Sequence, residues 1–115
     1  MNSEGEQRTS RILVFTDTEV AEGTMWRAVV HYADGSLAIQ GFDTGPGVQH
    51  DHGPTEFEFA RELSPAETDR LGALLGMADG DDLLVELGRR FTTTAEFEDY
   101  LKNEGVSGTF TEWRR

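Results

Sequence analysis

The first half of the chain carries short apolar segments with the two-residue period of β-strands. Residues 12–15 form a continuous apolar run, which predicts a short strand that is buried on both faces or lies at the centre of a sheet. Residues 55–60 alternate strictly: Phe57 and Phe59 fall on one side, and the glutamates between them fall on the other. This alternation predicts a strand with one buried face and one solvated face.

The pair Asp34-Gly35 predicts a β-hairpin between residues 25–33 and residues 36–43. An Asp-Gly pair supplies the positive φ angles of a two-residue turn. With such a loop, Tyr32 is expected opposite Leu37, and Val30 opposite Ile39. One face of the hairpin is then predicted to be the core side: Trp26, Ala28, Val30, Tyr32, Leu37 and Ile39. The other face carries Arg27, Val29, His31, Ala38, Gln40 and Phe42.

The second half of the chain changes to the helical period. The segment Ser64-Pro65-Ala66-Glu67 combines an N-cap, a proline at the first helical position and a glutamate that completes a capping box. A second helix is expected to begin near Asp79. The segment Thr93-Thr94-Ala95-Glu96 repeats the capping pattern, and Gly105 is placed to end the third helix. Residues 106–113 alternate again and predict a last strand.

Strands followed by helices are typical of an α+β fold. We expect a four-stranded antiparallel sheet followed by three helices packed on one face, the Trp26 face, with a C-terminal edge strand as a possible addition. The helix leucines should form one cluster with Phe57 and Phe59. Residues 1–10 are polar and aperiodic and are predicted to be a disordered tail, which leaves residues 11–115 as a single domain.

The composition narrows the classes of function. The chain has 22 acidic and 10 basic side chains, a formal charge of −12, and no cysteine. It therefore forms no disulfide and offers no thiol nucleophile or thiolate ligand. Because no stretch is basic, we predict no binding to nucleic acid and no binding to anionic membranes. The N-terminal residues lack the apolar stretch of a secretory signal, and we expect a cytoplasmic protein.

Two clusters in the sequence could hold a metal ion. The triplet His50-Asp51-His52 contains typical zinc ligands, and Asp43, Glu56 or Glu58 could supply a third. No recognised metal motif surrounds it, so we favour a solvated loop and predict no cofactor; a small metal- or ligand-dependent enzyme that uses His50 and His52 is the alternative. The acidic residues at 79, 81 and 82 do not fit an EF-hand loop and are interpreted as helix-capping residues.

The second hairpin face is the predicted partner-binding surface, because the helices are expected to cover the first. Phe42 and Val29 are its expected anchors, with Arg27, His31 and Gln40 beside them. The predicted rim consists of the carboxylates Asp43, Asp51, Glu56 and Glu58. The loop, the tail or a second copy in a homodimer could instead cover this face.

These features together favour a non-enzymatic acidic binding protein over an enzyme. A strongly acidic small protein is readily steered onto a basic partner. Immunity proteins, antitoxins and nucleic-acid mimics are proteins of this class. The hypothesis is therefore a protein that neutralises or regulates a basic protein partner.

Residues 33–113 contain several short motifs whose order along the chain is distinctive. A D-G-x-L-x-I-x-G-x-D-x-G segment at residues 34–45 precedes the EFEF strand at residues 56–59, and GVSGTFTEW at residues 105–113 closes the chain. In this order of motifs the chain resembles a family of small acidic bacterial proteins. The resemblance implies an α+β fold and no activity.

Overall fold

The sheet has one more strand than predicted. The computed structural model describes residues 10–20, 23–44 and 56–114. The elements in these residues are β1 (Ser10–Val20), β2 (Gly23–Tyr32), β3 (Leu37–Thr44), β4 (Glu56–Leu63), α1 (Pro65–Leu74), α2 (Leu83–Arg90), α3 (Thr94–Asn103) and β5 (Thr109–Arg114). The α+β class is confirmed, and the C-terminal segment is the fifth strand. The predicted tail, apart from Ser10, lies outside the described residues.

The five strands form an antiparallel meander in the order β1-β2-β3-β4-β5. β1 is therefore an edge strand with exposed Ile12 and Val14, and the prediction of a strand buried on both faces or at the sheet centre for residues 12–15 is wrong. Each described strand therefore pairs with its neighbour in sequence, which is the simplest way to connect antiparallel strands. The register of β1 against β2 shifts between Val14 and Thr16, so that Phe15 is the extra residue of a β-bulge.

The β2–β3 hairpin has a three-residue loop rather than the predicted two-residue loop. The N–H of Gly35 donates to the carbonyl of Tyr32 at 3.0 Å, and the N–H of Tyr32 donates to the carbonyl of Ser36 at 3.0 Å. Gly35 has a φ of +94°, and the Asp34 carboxylate accepts from the Ser36 N–H at 2.8 Å. This loop pairs Val29 with Ile39 and His31 with Leu37. Because strand side chains alternate, this one-residue change moves every β2 side chain to the face opposite to the one predicted.

The helices consequently pack on the face that carries Val29, and the prediction that they cover the Trp26 face is wrong. Helix α2 lies over β1, α3 over β2, and α1 beside β4. The buried core consists of Val29, Leu37, Ile39, Leu63, Leu71, Leu75, Leu83, Leu84, Leu87, Phe97, Leu101 and Val106. Phe57 and Phe59 lie on the same sheet face but beyond this cluster and are only half-buried, so the prediction of one shared cluster is also wrong.

The capping residues identified in the sequence begin the first and third helices as predicted. Ser64 and Glu67 form a complete capping box at α1, and Thr93 and Glu96 form another at α3. Helix α2 begins later than predicted, at Leu83, because Asp82 is its N-cap and accepts from two backbone N–H groups. Gly105 has a φ of +75° just beyond α3. In the described part of the chain, no helix is both long and apolar enough to span a membrane.

Candidate partner-binding face

The sheet face opposite the helices, here called the outer face, is largely apolar. It carries the even-numbered residues of β2, β3 and β4 and the odd-numbered residues of β5 from 109 to 113, together with Ile12 and Val14 of β1. Its apolar members are Ile12, Val14, Trp26, Ala28, Val30, Ala38, Phe42, Ala60 and Trp113. Trp113 is 48% exposed and Val14 is 47% exposed. Ala28, Val30 and Ala38, at the centre of the same face, are buried at 4% exposure or less. The accessible apolar side chains therefore lie towards the two edges of the face, and large accessible apolar side chains are typical of an interaction surface.

One cross-strand row brings the large aromatic side chains of the outer face together. Trp26 pairs with Phe42, Phe42 with Glu58, and Glu58 with Trp113. Paired residues of neighbouring strands point to the same side, so these four residues form a line across β2, β3, β4 and β5. We call this line the Trp26–Trp113 row. It places one carboxylate between two aromatic side chains.

The next row along the strands is made of smaller side chains. There Ala28 pairs with Gln40, Gln40 with Ala60, and Ala60 with Thr111. Large side chains beside small ones leave a cleft of about 620 Å³, whose lining includes Trp26, Gln40, Phe42, Glu58, Thr111 and Trp113. The amide of Gln40 donates to the Tyr32 hydroxyl at 3.4 Å at one side of this cleft. The outer face is therefore concave beside the Trp26–Trp113 row.

The charges on the outer face have a single sign in the part of the chain whose side chains are described. Glu56, Glu58 and Glu62 point to this face from β4. The cations of the strands, Arg11, Arg27 and Arg61, lie on the helix-covered face, and the other described cations lie on the helices. An apolar, concave surface whose described charged side chains are all acidic fits a cationic ligand.

The structure divides the predicted binding residues between the two faces. Gln40, Phe42, Glu56 and Glu58 lie on the outer face. Arg27, Val29, His31 and Asp43 lie on the helix-covered face, and their predicted placement beside Phe42 is wrong. For Arg27, Val29 and His31 the physical reason is the three-residue hairpin loop, which reverses β2 relative to β3. Asp43 follows Phe42 on β3 itself and therefore points to the opposite face in either register. Asp51 lies outside the described residues.

Arg27 and Asp43 form an ion pair on the helix-covered face. The guanidinium donates to both carboxylate oxygens, at 2.7 and 3.0 Å, and also to the backbone carbonyl of Trp26 at 2.9 Å. It lies 4.9 Å from the centre of the Phe59 ring, which crosses the sheet over Gly41. The Asp43 carboxylate, the Trp26 carbonyl and the Phe59 ring therefore hold Arg27 in place, and we interpret it as a structural residue.

A second groove lies on the helix-covered face, between α3 and the last two strands. Its volume is about 600 Å³, and Phe57, Phe59 and Phe110 form its apolar wall. Arg61 lies over the Phe110 ring at 5.1 Å and donates to Glu98 at 3.3 Å and to the Ser107 carbonyl at 2.7 Å. Charges of both signs border this groove, so it carries no net preference for a cationic or an anionic ligand.

Sequence reasoning did not place Trp26 and Trp113 on the candidate partner-binding face. A two-residue hairpin loop predicts Trp26 on the core side of β2. Three-residue loops with a glycine at the left-handed position are the next most common hairpin, so the Asp34-Gly35 pair was compatible with either register. The two registers place opposite faces of β2 in the core. The sequence of β2 alone favours the Trp26 face, because Arg27 and His31 interrupt the other face, and the observed register goes against this local pattern.

No metal centre occurs in residues 10–20, 23–44 and 56–114, where no three His, Asp or Glu side chains come together. His50 and His52 lie outside these residues, so the metal hypothesis stays a prediction. Comparison of the chain with protein-family models, curated proteins and solved structures found no match. The resemblance to small acidic bacterial proteins therefore also stays a prediction, and the functional argument depends on the geometry of the outer face.

Proposed function

We propose that this chain is a non-enzymatic binding protein that holds a basic protein partner on its outer face, in the cytoplasm, and so neutralises or regulates that partner. Immunity proteins, antitoxins and nucleic-acid mimics act in this way. The observation that carries the proposal is the composition of the outer face. Trp26, Phe42 and Trp113 share it with three glutamates, and no Lys or Arg is among its described side chains.

This composition suits a partner rich in Arg or Lys for two reasons. Aromatic side chains act as anchors because they bury a large apolar area and attract cations to their ring faces. The glutamates beside them supply counter-charges, and the overall charge of −12 speeds the encounter with a basic surface. The aromatic side chains therefore set the lifetime of the complex, and the carboxylates set its rate of formation.

The same composition disfavours a second copy of this chain as the occupant. A two-fold dimer places the same patch of each copy against its counterpart. Glu56, Glu58 and Glu62 of one copy would then approach the same glutamates of the other, and like charges at an interface are repulsive. A basic partner brings opposite charge to this face, whereas a second copy brings like charge.

Calorimetric titration with an oligo-arginine peptide tests the proposal on wild type and two variants. Phe42→Ala should weaken binding about two- to fivefold, the usual contribution of one cation–π contact. It should also speed dissociation and leave the melting temperature nearly unchanged, since Phe42 lies outside the core cluster. Phe110→Ala is the matched control because Phe110 lies on the opposite face and is 45% exposed.

Equal binding by the two variants would contradict the proposal, whether both match wild type or both are weakened. Unfolding of the Phe42→Ala variant would also contradict it, because Phe42 would then belong to a second core under a covered outer face. Formation of a stable homodimer that the peptide does not dissociate would assign the outer face to a second copy.

A further inference from the structure

Three phenylalanine rings form the sheet side of the groove between α3 and the last two strands. The ring centres of Phe57 and Phe59 lie 5.8 Å apart, and those of Phe59 and Phe110 lie 5.9 Å apart. These separations are typical of aromatic rings in contact, so the wall is continuous. Phe110 is 45% exposed, and the other two rings are half-buried. An accessible aromatic wall in a groove of about 600 Å³ has the size and lining of a small-molecule site.

Contacts within the chain hold this groove in shape. Arg61 donates to Glu98 at 3.3 Å and to the Ser107 carbonyl at 2.7 Å, which ties both α3 and the loop after it to β4. The loop has a glycine near each end, Gly105 with a φ of +75° and Gly108 with a φ of +63°. Small-molecule sites are usually formed largely in advance of binding, and this groove meets that condition.

The helix side of the groove carries one negative and one positive side chain that no other residue engages. Asp99 and Lys102 both line the groove from α3. Within residues 10–20, 23–44 and 56–114, neither side chain has a hydrogen bond or an ion pair. Glu98, the other carboxylate of the lining, is bound to Arg61. The groove therefore offers a ligand one charge of each sign.

The spacing of these two charges suits the two charged groups of a free amino acid. Residues three apart on a helix are neighbours, with Cβ atoms about 5–6 Å apart. An α-amino acid carries its ammonium and its carboxylate on the same carbon atom, so one molecule can meet Asp99 and Lys102 together. A purely cationic or purely anionic ligand would meet only one of them. The side chain of the amino acid is then free to reach the phenylalanine rings across the groove.

We propose that this groove binds a free amino acid with an aromatic side chain. Lys102 holds its carboxylate, Asp99 holds its ammonium group, and Phe59 and Phe110 contact its ring. The proposal does not rest on the proposed function, because it concerns the opposite face of the sheet. It assigns the chain a small-molecule ligand in addition to a protein partner.

NMR titration of methyl-labelled protein with four probes tests the proposal: L-phenylalanine, N-acetyl-L-phenylalanine, L-phenylalanine amide and L-alanine. Leu101 and Val106 line the groove, so their methyl signals report on it directly. L-phenylalanine should shift both signals in a saturable way. L-alanine lacks the ring and should cause no saturable shift, because the contact with the aromatic wall is missing.

Variants of the two charged residues identify which end of the ligand each one holds. Lys102→Gln should weaken L-phenylalanine about two- to fivefold, the usual contribution of an exposed ion pair, and leave binding of the amide, which has no carboxylate, unchanged. Lys102→Arg keeps the charge and should keep the affinity. Asp99→Asn should weaken L-phenylalanine by a similar factor and leave the N-acetyl derivative, which has no ammonium group, unchanged. Asp69→Asn makes the same charge change on α1, outside the groove, and should have no effect.

The aromatic wall is tested by a matched pair of leucine variants. Phe110→Leu removes one ring from the groove and should weaken L-phenylalanine about two- to tenfold. Phe42→Leu removes a ring from the outer face and should leave the affinity unchanged. Asp69, Asp99, Lys102 and Phe110 are exposed, so their variants should fold, and thermal melting checks this.

Three results would overturn the amino-acid site. The first is the absence of a saturable shift of Leu101 and Val106 by L-phenylalanine. The second is an equal shift by L-alanine, which would show that the rings take no part. The third is equal weakening of L-phenylalanine and its amide by Lys102→Gln, which would show that Lys102 does not hold the carboxylate. Titration with oligo-arginine tests the outer face separately, so either proposal can fail while the other stands.

Discussion

At the scale of the single residue, Gly41 shows how an absent side chain organises its neighbours. Gly41 lies between Arg27 and Phe59 in one cross-strand row on the helix-covered face. An added Cβ atom would lie 2.2 Å from the Phe59 ring, so this ring occupies the space that a side chain would fill. A ring that covers a strand glycine is a recognised way of stabilising a sheet, and here the ring also contacts the Arg27 guanidinium.

We predict that Gly41→Ala destabilises the protein by about 1 kcal/mol, because the ring must leave both the strand and Arg27. A loss of stability would be unusual, since replacement of a strand glycine by alanine ordinarily stabilises a protein by roughly 0.5–1 kcal/mol. Chemical denaturation measures the free energy of unfolding. In a Phe59→Leu background the same replacement should cost much less, and an equal cost in both backgrounds would show that the ring is not the cause.

At the scale of the element, the helices depend on their caps. The backbone N–H of Ser64 donates to Glu67 at 2.9 Å, and the N–H of Glu67 donates to the Ser64 hydroxyl at 3.1 Å. The pKa of Glu67 is held below its ordinary value mainly by the hydrogen bond from the Ser64 backbone N–H, and the Ser64 hydroxyl contributes further. At α2, a hydrogen bond from Arg11 likewise lowers the pKa of Asp82, and Arg89 and Arg90 lower the pKa of Glu86.

A lowered carboxyl pKa in the folded state means that the stabilisation is present above the unfolded pKa and is lost as the pH falls through the folded pKa. We therefore predict that the melting temperature decreases as the pH falls below about 4.5, the ordinary value for Glu67. The Glu67→Gln variant should melt lower than wild type at neutral pH and lose less stability between neutral and acidic pH. Melting curves over this range test the prediction, and parallel pH profiles for the two proteins would contradict it.

The elements also show what the sequence can and cannot specify. The capping boxes at Ser64 and Thr93 were predictable because they depend on residues within four positions of each other. The alternation of Phe57 with Glu58 was equally local. The register of β2 was not predictable, because it depends on whether the chain turns through two residues or three at Asp34-Gly35. Arg27, Val29 and His31 consequently lie on the helix-covered face and not beside Phe42 as predicted. Gln40, Phe42, Glu56 and Glu58 lie together on the outer face.

At the scale of the whole molecule, the described side chains place helices and basic residues on one side of the sheet and an acidic, aromatic surface on the other. This polarity predicts different roles for charge and for apolar contact. Glu56→Gln combined with Glu58→Gln should slow association with oligo-arginine more than Phe42→Ala does, because carboxylates steer the encounter. Added salt should slow wild-type association, since the Debye length falls from about 10 Å at 0.1 M to about 3 Å at 1 M. Stopped-flow mixing monitored by tryptophan fluorescence measures these rates, and equal association rates for the two variants would argue against steering by this face.

NMR mapping of the oligo-arginine binding site on methyl-labelled protein tests the central claim most directly. Methyl groups distinguish the two faces of the sheet: Ile12 and Val14 are exposed on the outer face, whereas Leu101 and Val106 line the groove on the helix-covered face. We predict that the peptide shifts the outer-face methyl signals and both indole N–H signals, and leaves those of Leu101 and Val106 in place. Shifts centred on Leu101 and Val106, with the outer-face signals unchanged, would contradict the assignment of the outer face as the binding surface.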